Sequence, residues 1–416
     1  PVGDLLDVAA VEGWVLRFLR GAALSQDPTP FDRTVVTVPA SFQMAQRNDT
    51  IRAAKLAGIE LTPGDLLDEP VAAFIDYLTR WGVEPVYEFG DVARLLVLDF
   101  GGGTCDVAVL ELTWTDEPDR PSIALRSVSR FHRLGGGDID RAILHEVLLP
   151  QIIRQNGLAQ HAFDYDAKKN VLEPVFIGWA EELKIAVSEL MQKMLADGRL
   201  DCFDLRRVRI KLAGTRTCVV DGKTISLTEP YLTAHAFDRV LRPFLDTDLL
   251  YARETEYRLT SSVFAPVDDA LGRAGLTADD VDLVLLAGGS SLIPQVQEAV
   301  RNYFPISKLL TYKTAKALQS TVARGAAMHA FYKMICGKPL IPPASHDRIA
   351  IRTASGVMEL VPKGAQLPYP GGRKWAENDD LFVPEAIVDE GSDLRVEVVA
   401  GGDGQGTGSG GAGGSG

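Results

Sequence analysis

Residues Leu95 to Leu112 read LLVLDFGGGTCDVAVLEL. Two apolar, β-branched runs flank Asp99-Phe100-Gly101-Gly102-Gly103-Thr104-Cys105-Asp106. Apolar runs bounded by a glycine cluster predict paired strands with a tight turn. Glycines accept φ > 0 and leave no Cβ in the way, so the N–H groups of Gly101, Gly102 and Gly103 can converge on an anion. Asp99 closes the incoming strand and Asp106 opens the outgoing one. Carboxylates beside a phosphate repel it unless a cation stands between, and Mg²⁺ held through water is the natural bridge. A plain β-hairpin with a glycine turn satisfies the same letters, and one glycine motif does not separate the two readings.

Two more glycine turns lie downstream. Ile123 to Arg133 reads as a strand ending at Leu134-Gly135-Gly136-Gly137-Asp138-Ile139-Asp140, which feeds a helix from about Asp138 to Ile153. Val281 to Leu286 reads as a buried strand running into Ala287-Gly288-Gly289-Ser290-Ser291, followed by a helix from about Ile293 to Tyr303. The last two turns open helices, whose N-termini favour an anion or a sugar hydroxyl. Three such turns facing one cleft hold a nucleotide along its length. No G-x-x-x-x-G-K-[ST] run is present, which excludes a P-loop. No G-x-G-x-x-G opens a βαβ unit with an acid at the right distance, which argues against a dinucleotide fold.

The rest of the chain alternates helices and short strands. Asp4 to Arg20 has apolar residues at helical spacing, and Asp27-Pro28-Thr29-Pro30 breaks the chain. Thr34 to Val38 is a strand stopped by Pro39. Ser41 to Leu56 reads as a helix with Ser41 as its N-cap. A strand near Asp65–Leu67 leads into Asp68-Glu69-Pro70-Val71-Ala72-Ala73, where Pro70 fits the first turn of a helix reaching about Arg80. Tyr165 to Asp197, Thr233 to Leu250, Ser262 to Ala274 and Ser320 to Met334 are helical, and Val208 to Leu227 forms strands turning at Asp221-Gly222. Arg253 to Arg258 reads as a solvated helix end or an insertion, and His132, His145 and His235 read as structural. Composition divides the chain into 1–337, a linker over 338–347, a strand-rich segment over 348–400 and a flexible Gly/Ser-rich tail over 401–416.

Composition bounds the function. With 416 residues, 46% hydrophobic and 24% charged, the chain is an ordinary globular sequence long enough for more than one domain. A formal net charge of −13 argues against nucleic acid as a partner. No apolar run is long enough to span a bilayer, so no membrane partner is expected. Cys105, Cys202, Cys218 and Cys336 show no C-x-x-C spacing and suggest neither zinc nor a disulfide framework, and a reducing cytoplasm is the default reading. Cys105, beside the glycine turn, reads either as a redox switch or as a small buried hydrophobe.

The order and wording of these motifs resemble the Hsp70 chaperone family of the actin/hexokinase-like ATPase superfamily. Val38-Pro39-Ala40-Ser41-Phe42 resembles its V-P-A-x-F element, and Asp68 to Ala73 its first connecting helix. Asp99 to Asp106 resembles the second phosphate motif, and Leu134 to Asp140 resembles L-G-G-x-D-[FI]-D. Glu181, Lys184 and Ser188 resemble the adenosine-contacting helix, Ala287 to Pro294 the adenosine motif, and Val322 to Ala327 the second connecting helix. The resemblance implies an α/β, actin-like (ribonuclease H-like), two-lobed ATPase domain followed by a short β-rich segment. It implies ATP or ADP with Mg²⁺ as cofactors. Gly101, Gly102, Gly103 and Thr104 then line the phosphates, Gly135, Gly136 and Gly137 close over them, and Gly288, Gly289 and Ser290 carry the adenosine. Asp99 holds Mg²⁺ through water and Glu69 orients water near the metal, so Glu69, Asp99 and Thr104 are the implied catalytic group. It also implies a stress-response protein-folding role. The partners would be unfolded or extended polypeptide, a J-domain co-chaperone and a nucleotide-exchange factor.

Departures from the family pattern shape the expectation. Nothing before Val38 resembles the family's first phosphate loop or its lysine, so the lobe is expected to lack its first strands and ATP turnover to be impaired. Ile185 and Leu292 stand where well-known relatives carry arginines against the base. Ile349 to Arg352 and Gly356 to Pro362 resemble the opening of the family's peptide-binding β-domain. The functional expectation is a chaperone that couples ATP binding and hydrolysis to polypeptide binding and release. The rival is a nucleotide-binding regulatory protein with little or no ATPase activity, and a sugar or acetate kinase is a third class.

Overall fold

The computed structural model describes residues 7–29, 31, 33–82, 91–114, 122–130, 134–198, 208–250, 253–254, 259–312, 315–345, 348–353, 356–367, 369 and 397–400. The described residues form two compact units, one within 1–123 and 127–340, the other within 124–126 and 341–416. His132, Cys202, 255–258 and the tail over 401–416 lie outside the described residues.

In the first unit, α1 (Val8–Gln26) is capped by Asp7, whose carboxylate accepts from the Ala9 N–H at 3.3 Å. It packs on α2 (Met44–Leu56), where Gly13 comes close to the Ala53 carbonyl. The cap of α2 is Gln43, bonded to Gln46, and not Ser41. The Ser41 N–H is committed elsewhere: it donates to the Asp106 carboxylate at 3.2 Å. β1 (Val36–Val38) runs parallel to β2 (Leu66–Asp68), and α3 (Glu69–Trp81) follows β2 directly with Pro70 in its first turn.

The central stretch folds as an antiparallel hairpin of β3 (Val92–Phe100) and β4 (Cys105–Thr113), with Asp99 directly opposite Asp106. After β5 (Ser122–Val128), α4 (Gly136–Ile143) passes through a π-helical turn, Leu144–Leu148, into α5 (Leu149–Gln155). A second π-helical turn, Ala167–Leu172, leads into α6 (Glu173–Ala196). His145 of the first π turn meets Glu173 at 3.0 Å, and Lys169 of the second holds the other oxygen of Glu173 at 2.8 Å, so His145 is structural as expected.

β6 (Arg209–Lys211) pairs with β9 (Tyr231–Thr233), and β7 (Thr215–Val220) with β8 (Lys223–Thr228). Between β7 and β8, Asp221 and Gly222 both take positive φ, the turn that this dipeptide predicts. α7 (Ala234–Leu241) is capped by Thr233 and ends earlier than its sequence pattern suggests. Arg253–Glu254 (β10) pairs with Leu259–Thr260 (β11), so the charge run there starts in a short ladder and not in a helix end. Then come α8 (Phe264–Ala274), β12 (Leu283–Ala287), α9 (Pro294–Tyr303), β13 (Lys308–Leu310), α10 (Ala315–Gln319) and α11 (Thr321–Cys336).

A sheet with neighbouring strands in the order β13-β12-β3-β4 organises the unit. β12 is parallel to β3 with Ala287 opposite Asp99, so two strands deliver their glycine turns to the same edge. Leu96, Leu98, Phe100, Val107 and Val109 from the hairpin join Ile139, Phe176 and Leu183 in the core beneath that edge. In the second unit, β14 (Ile349–Thr353), β15 (Gly356–Val361) and β16 (Val398–Ala400) form an antiparallel sheet ordered β15-β14-β16. Among the described residues no helix is long and apolar enough to cross a membrane.

Candidate functional site

The three glycine turns meet on one atom. The Gly101 carbonyl accepts from the Gly136 N–H at 2.9 Å and from the Ser290 hydroxyl at 2.9 Å. The Gly137 N–H donates to the Gly102 carbonyl at 2.8 Å, and the Gly101 N–H to the Thr104 carbonyl at 3.0 Å. Gly288 takes φ +76, and a Cβ there would sit 2.4 Å from the Phe100 carbonyl and 2.5 Å from an Asp99 carboxylate oxygen. Only a residue without a side chain lets β12 turn this close to β3. Gly102, Gly103 and Gly289 are exposed, and the space where their side chains would stand is open. The junction therefore presents bare backbone to open space.

The second glycine turn is tied to the first. Its N–H groups are bonded within the protein: Gly135 to the Asp138 carboxylate at 3.0 Å, Gly136 to Gly101 and Gly137 to Gly102. It buttresses the first turn. Thr104 is half-buried at the hairpin's return.

α6 supplies a second support. The Lys184 ammonium, buried, reaches the Gly136 carbonyl at 3.2 Å and the Asp140 carboxylate at 2.8 Å. Burial pushes the Asp140 carboxyl up to about 6, with the Lys184 charge pulling the other way. The Ser188 hydroxyl donates to the Lys184 carbonyl of its own helix. Of the three residues expected to meet adenosine on this helix, Lys184 and Ser188 are thus internally bonded and Glu181 is exposed. Ile185, 48% exposed, stands one residue after Lys184. The Leu292 carbonyl accepts from the Gln192 side chain of α6, which ties the third turn to this helix.

Acids line the other side. Asp99 is buried, and burial first, then the charges of Glu69 and Asp106, push its carboxyl up to about 7. Glu69, the first residue of α3, is pushed up to about 7 by burial and by the neighbouring Asp106 and Asp68 charges. Asp106 is 2% exposed; one oxygen takes the Ser41 N–H and the other is buried with no hydrogen-bond partner. Two carboxyls raised by burial and by neighbouring acids, Glu69 and Asp99, stand with Asp106 and its orphaned oxygen as a candidate place for a cation. Among the described residues no three His, Cys, Asp or Glu side chains are placed to ligate a metal together. Arg47 and Asp68 pair at 2.5 Å beside Glu69.

Asp106 was legible as part of the glycine motif, and its role follows from register: it faces Asp99 across the hairpin. Asp140 was legible as the last letter of its glycine motif, but its pairing with Lys184 and that of the Ser41 N–H with Asp106 carry no local signal, because these contacts span 44 and 65 residues of sequence. Cys105 is buried at 1%, and burial with the Asp106 and Asp99 charges pushes its thiol up, away from the reactive thiolate; it is a small core residue.

Comparison with known proteins points to one family. The family model described as "Hsp70 protein" matches residues 2–213 and 253–334. A chaperone protein DnaK of Thermus thermophilus is 28% identical over 374 residues, covering 88% of this chain and 50% of its own length. Chaperone protein DnaK 3 of Synechococcus sp. is 28% identical over 294 residues, covering 71% of this chain and 37% of its own length. A chaperone protein HscA homolog of Herminiimonas arsenicoxydans is 29% identical over 341 residues, covering 80% of this chain and 43% of its own length. The chain spans about half or less of the length of these curated relatives.

Proposed function

Because the chain belongs to the Hsp70 family, a family of nucleotide-binding ATPases, we propose that it binds ATP and ADP at the junction of its three glycine turns. The observation that carries this reading is the Gly101 carbonyl, which gathers the second and third turns onto the first beside Glu69, Asp99 and Asp106. Gly102, Gly103 and Thr104 face the phosphates, Gly288, Gly289 and Ser290 face the nucleoside, and Glu181 and Ile185 border it on α6. Asp99 would hold Mg²⁺ through water and Glu69 would orient water beside it, the cation supplying charge neutralisation for the phosphates. Lys184, Ser188 and the turn from Gly135 to Gly137 hold the frame from within.

In this reading, nucleotide turnover governs capture and release of unfolded polypeptide in the cytoplasm. The strands of the second unit belong to the peptide-binding side, and a J-domain co-chaperone and an exchange factor act on the cycle. Binding of a fluorescent ADP analogue with Mg²⁺ and with EDTA tests the site: saturable binding that tightens with Mg²⁺ is expected, and no binding overturns the reading. The rival is a nucleotide-responsive regulator with little turnover. It is favoured by Ile185 and Leu292, which offer a base apolar contact without a cation. Peptide release on ATP addition supports the chaperone, and nucleotide binding without any peptide binding supports the regulator.

A further inference from the structure

α3 begins at Glu69 in the acid group and runs away from it to Trp81. Ala72, Ala73 and Asp76 follow Glu69 at i+3, i+4 and i+7, so by helical spacing they lie on its face of the helix. Each of the three is held from outside. The Ala72 carbonyl touches α11 at Gly325, where a Cβ would sit only 1.8 Å from the oxygen. The Ala73 carbonyl accepts from the Tyr312 hydroxyl at 3.2 Å. Asp76, 2% exposed, receives a two-pronged ion pair from Arg324 of α11: Nε at 2.7 Å to one oxygen and Nη2 at 2.9 Å to the other. Tyr312 donates to Asp76 as well at 3.2 Å, and Arg80 of α3 approaches it at 3.3 Å.

The Arg324 guanidinium is itself fixed. Nη2 also donates to the Ala317 carbonyl at 2.9 Å, and Nη1 to the Ser320 hydroxyl. A planar fork bonded on all sides resists rotation in a way an ammonium cannot. The buried carboxylate is not part of the acid group, and it stands about 10 Å along the helix from Glu69. An ion pair on a buried carboxylate, with its arginine half-buried, contributes less to stability than to choosing one arrangement of the elements that it joins.

We infer that Arg324 is a positioning residue: by clamping Asp76 it fixes how α3 lies on α11, and through α3 it sets where Glu69 stands relative to Asp99 and Asp106. The inference rests on reading those three acids as the cation-facing end of a nucleotide site.

The test uses the full chain and three variants: Arg324→Met, Arg324→Lys, and Asp76→Ala combined with Arg324→Met. The double variant removes the clamp without leaving a buried charge alone, so it covers the case in which Arg324→Met fails to fold. The readout is the gain in ADP affinity on replacing EDTA with Mg²⁺. That gain falls about tenfold in Arg324→Met and in the double variant, as for other groups that orient metal-facing residues, while affinity in EDTA holds. Arg324→Lys recovers part of the gain. A lower melting temperature with an unchanged gain means that the clamp is structural only, and overturns the inference. Hydrogen exchange read on the same proteins needs no nucleotide. The α3 amides from Ala73 to Tyr77 exchange about tenfold faster without the clamp, and unchanged exchange overturns it. If the unaltered chain binds no ADP, the proposed function fails and exchange alone decides the clamp.

Discussion

At Asp99 and Asp106, like charges face each other across a hairpin, an arrangement that costs stability unless a proton or a cation intervenes. The consequence is a pH dependence with a definite sign. Glu69 and Asp99 have folded-state pKa values raised to about 7, so the folded chain holds their protons more tightly than the unfolded chain does. Their contribution is fully present below the ordinary carboxylate range near pH 4 and is lost as pH rises through about 7. Cation-free protein should therefore melt at a lower temperature at pH 8 than at pH 5.5, with added Mg²⁺ restoring part of the loss at pH 8. Calorimetry across that range checks it, and a flat profile removes the coupled-acid account. At Gly288, Ala is expected to destabilise the fold by about 2 kcal/mol or more, since it combines a strained φ with a collision against β3. Urea melts of Gly288→Ala measure it. Gly289→Ala has open space before it, so its thermal stability should change far less and its effect should fall on nucleotide affinity.

Elements with a strong internal signal were legible. The β3–β4 hairpin, the turn at Asp221-Gly222 and the helix opening with Pro70 each rest on local stereochemistry, and each is present. Elements shaped by distant partners were not. The pattern at Ser41 fits an N-cap, yet its N–H goes to Asp106, and Gln43 caps α2 in its place. The two π-helical turns leave no distinct trace in a helical period, because one added residue shifts the apolar stripe by less than its own width. The contact of α3 with α11 belongs to this scale. Gly325→Ala pushes the two helices apart where the Ala72 carbonyl now meets bare backbone, and about 1–3 kcal/mol of stability should go with it. Thermal melts read that loss. A melting temperature within a degree of the parent protein would show that the helices separate freely.

Across the whole molecule, all residues of the candidate site lie in the first unit. Proteolysis between Gly337, the left-handed end of α11, and Pro343 is expected to release a fragment that keeps the ADP affinity of the intact chain, while losing any peptide binding. A fragment that loses ADP binding would count against that assignment. The sequence by itself determined the order of strands and glycine turns, the family and the hairpin with its two acids. Those features are written in short-range spacing, in turn chemistry and in contiguous motifs. Tertiary structure alone decided which N–H groups stay available. Gly135, Gly136 and Gly137 read like a phosphate loop, and in the structure their N–H groups are bonded to Asp138, Gly101 and Gly102. It alone decided that Asp76 and Arg324, 248 residues apart, hold the helix that carries Glu69. Contacts of that span depend on how the chain returns to itself, and no local pattern encodes the return.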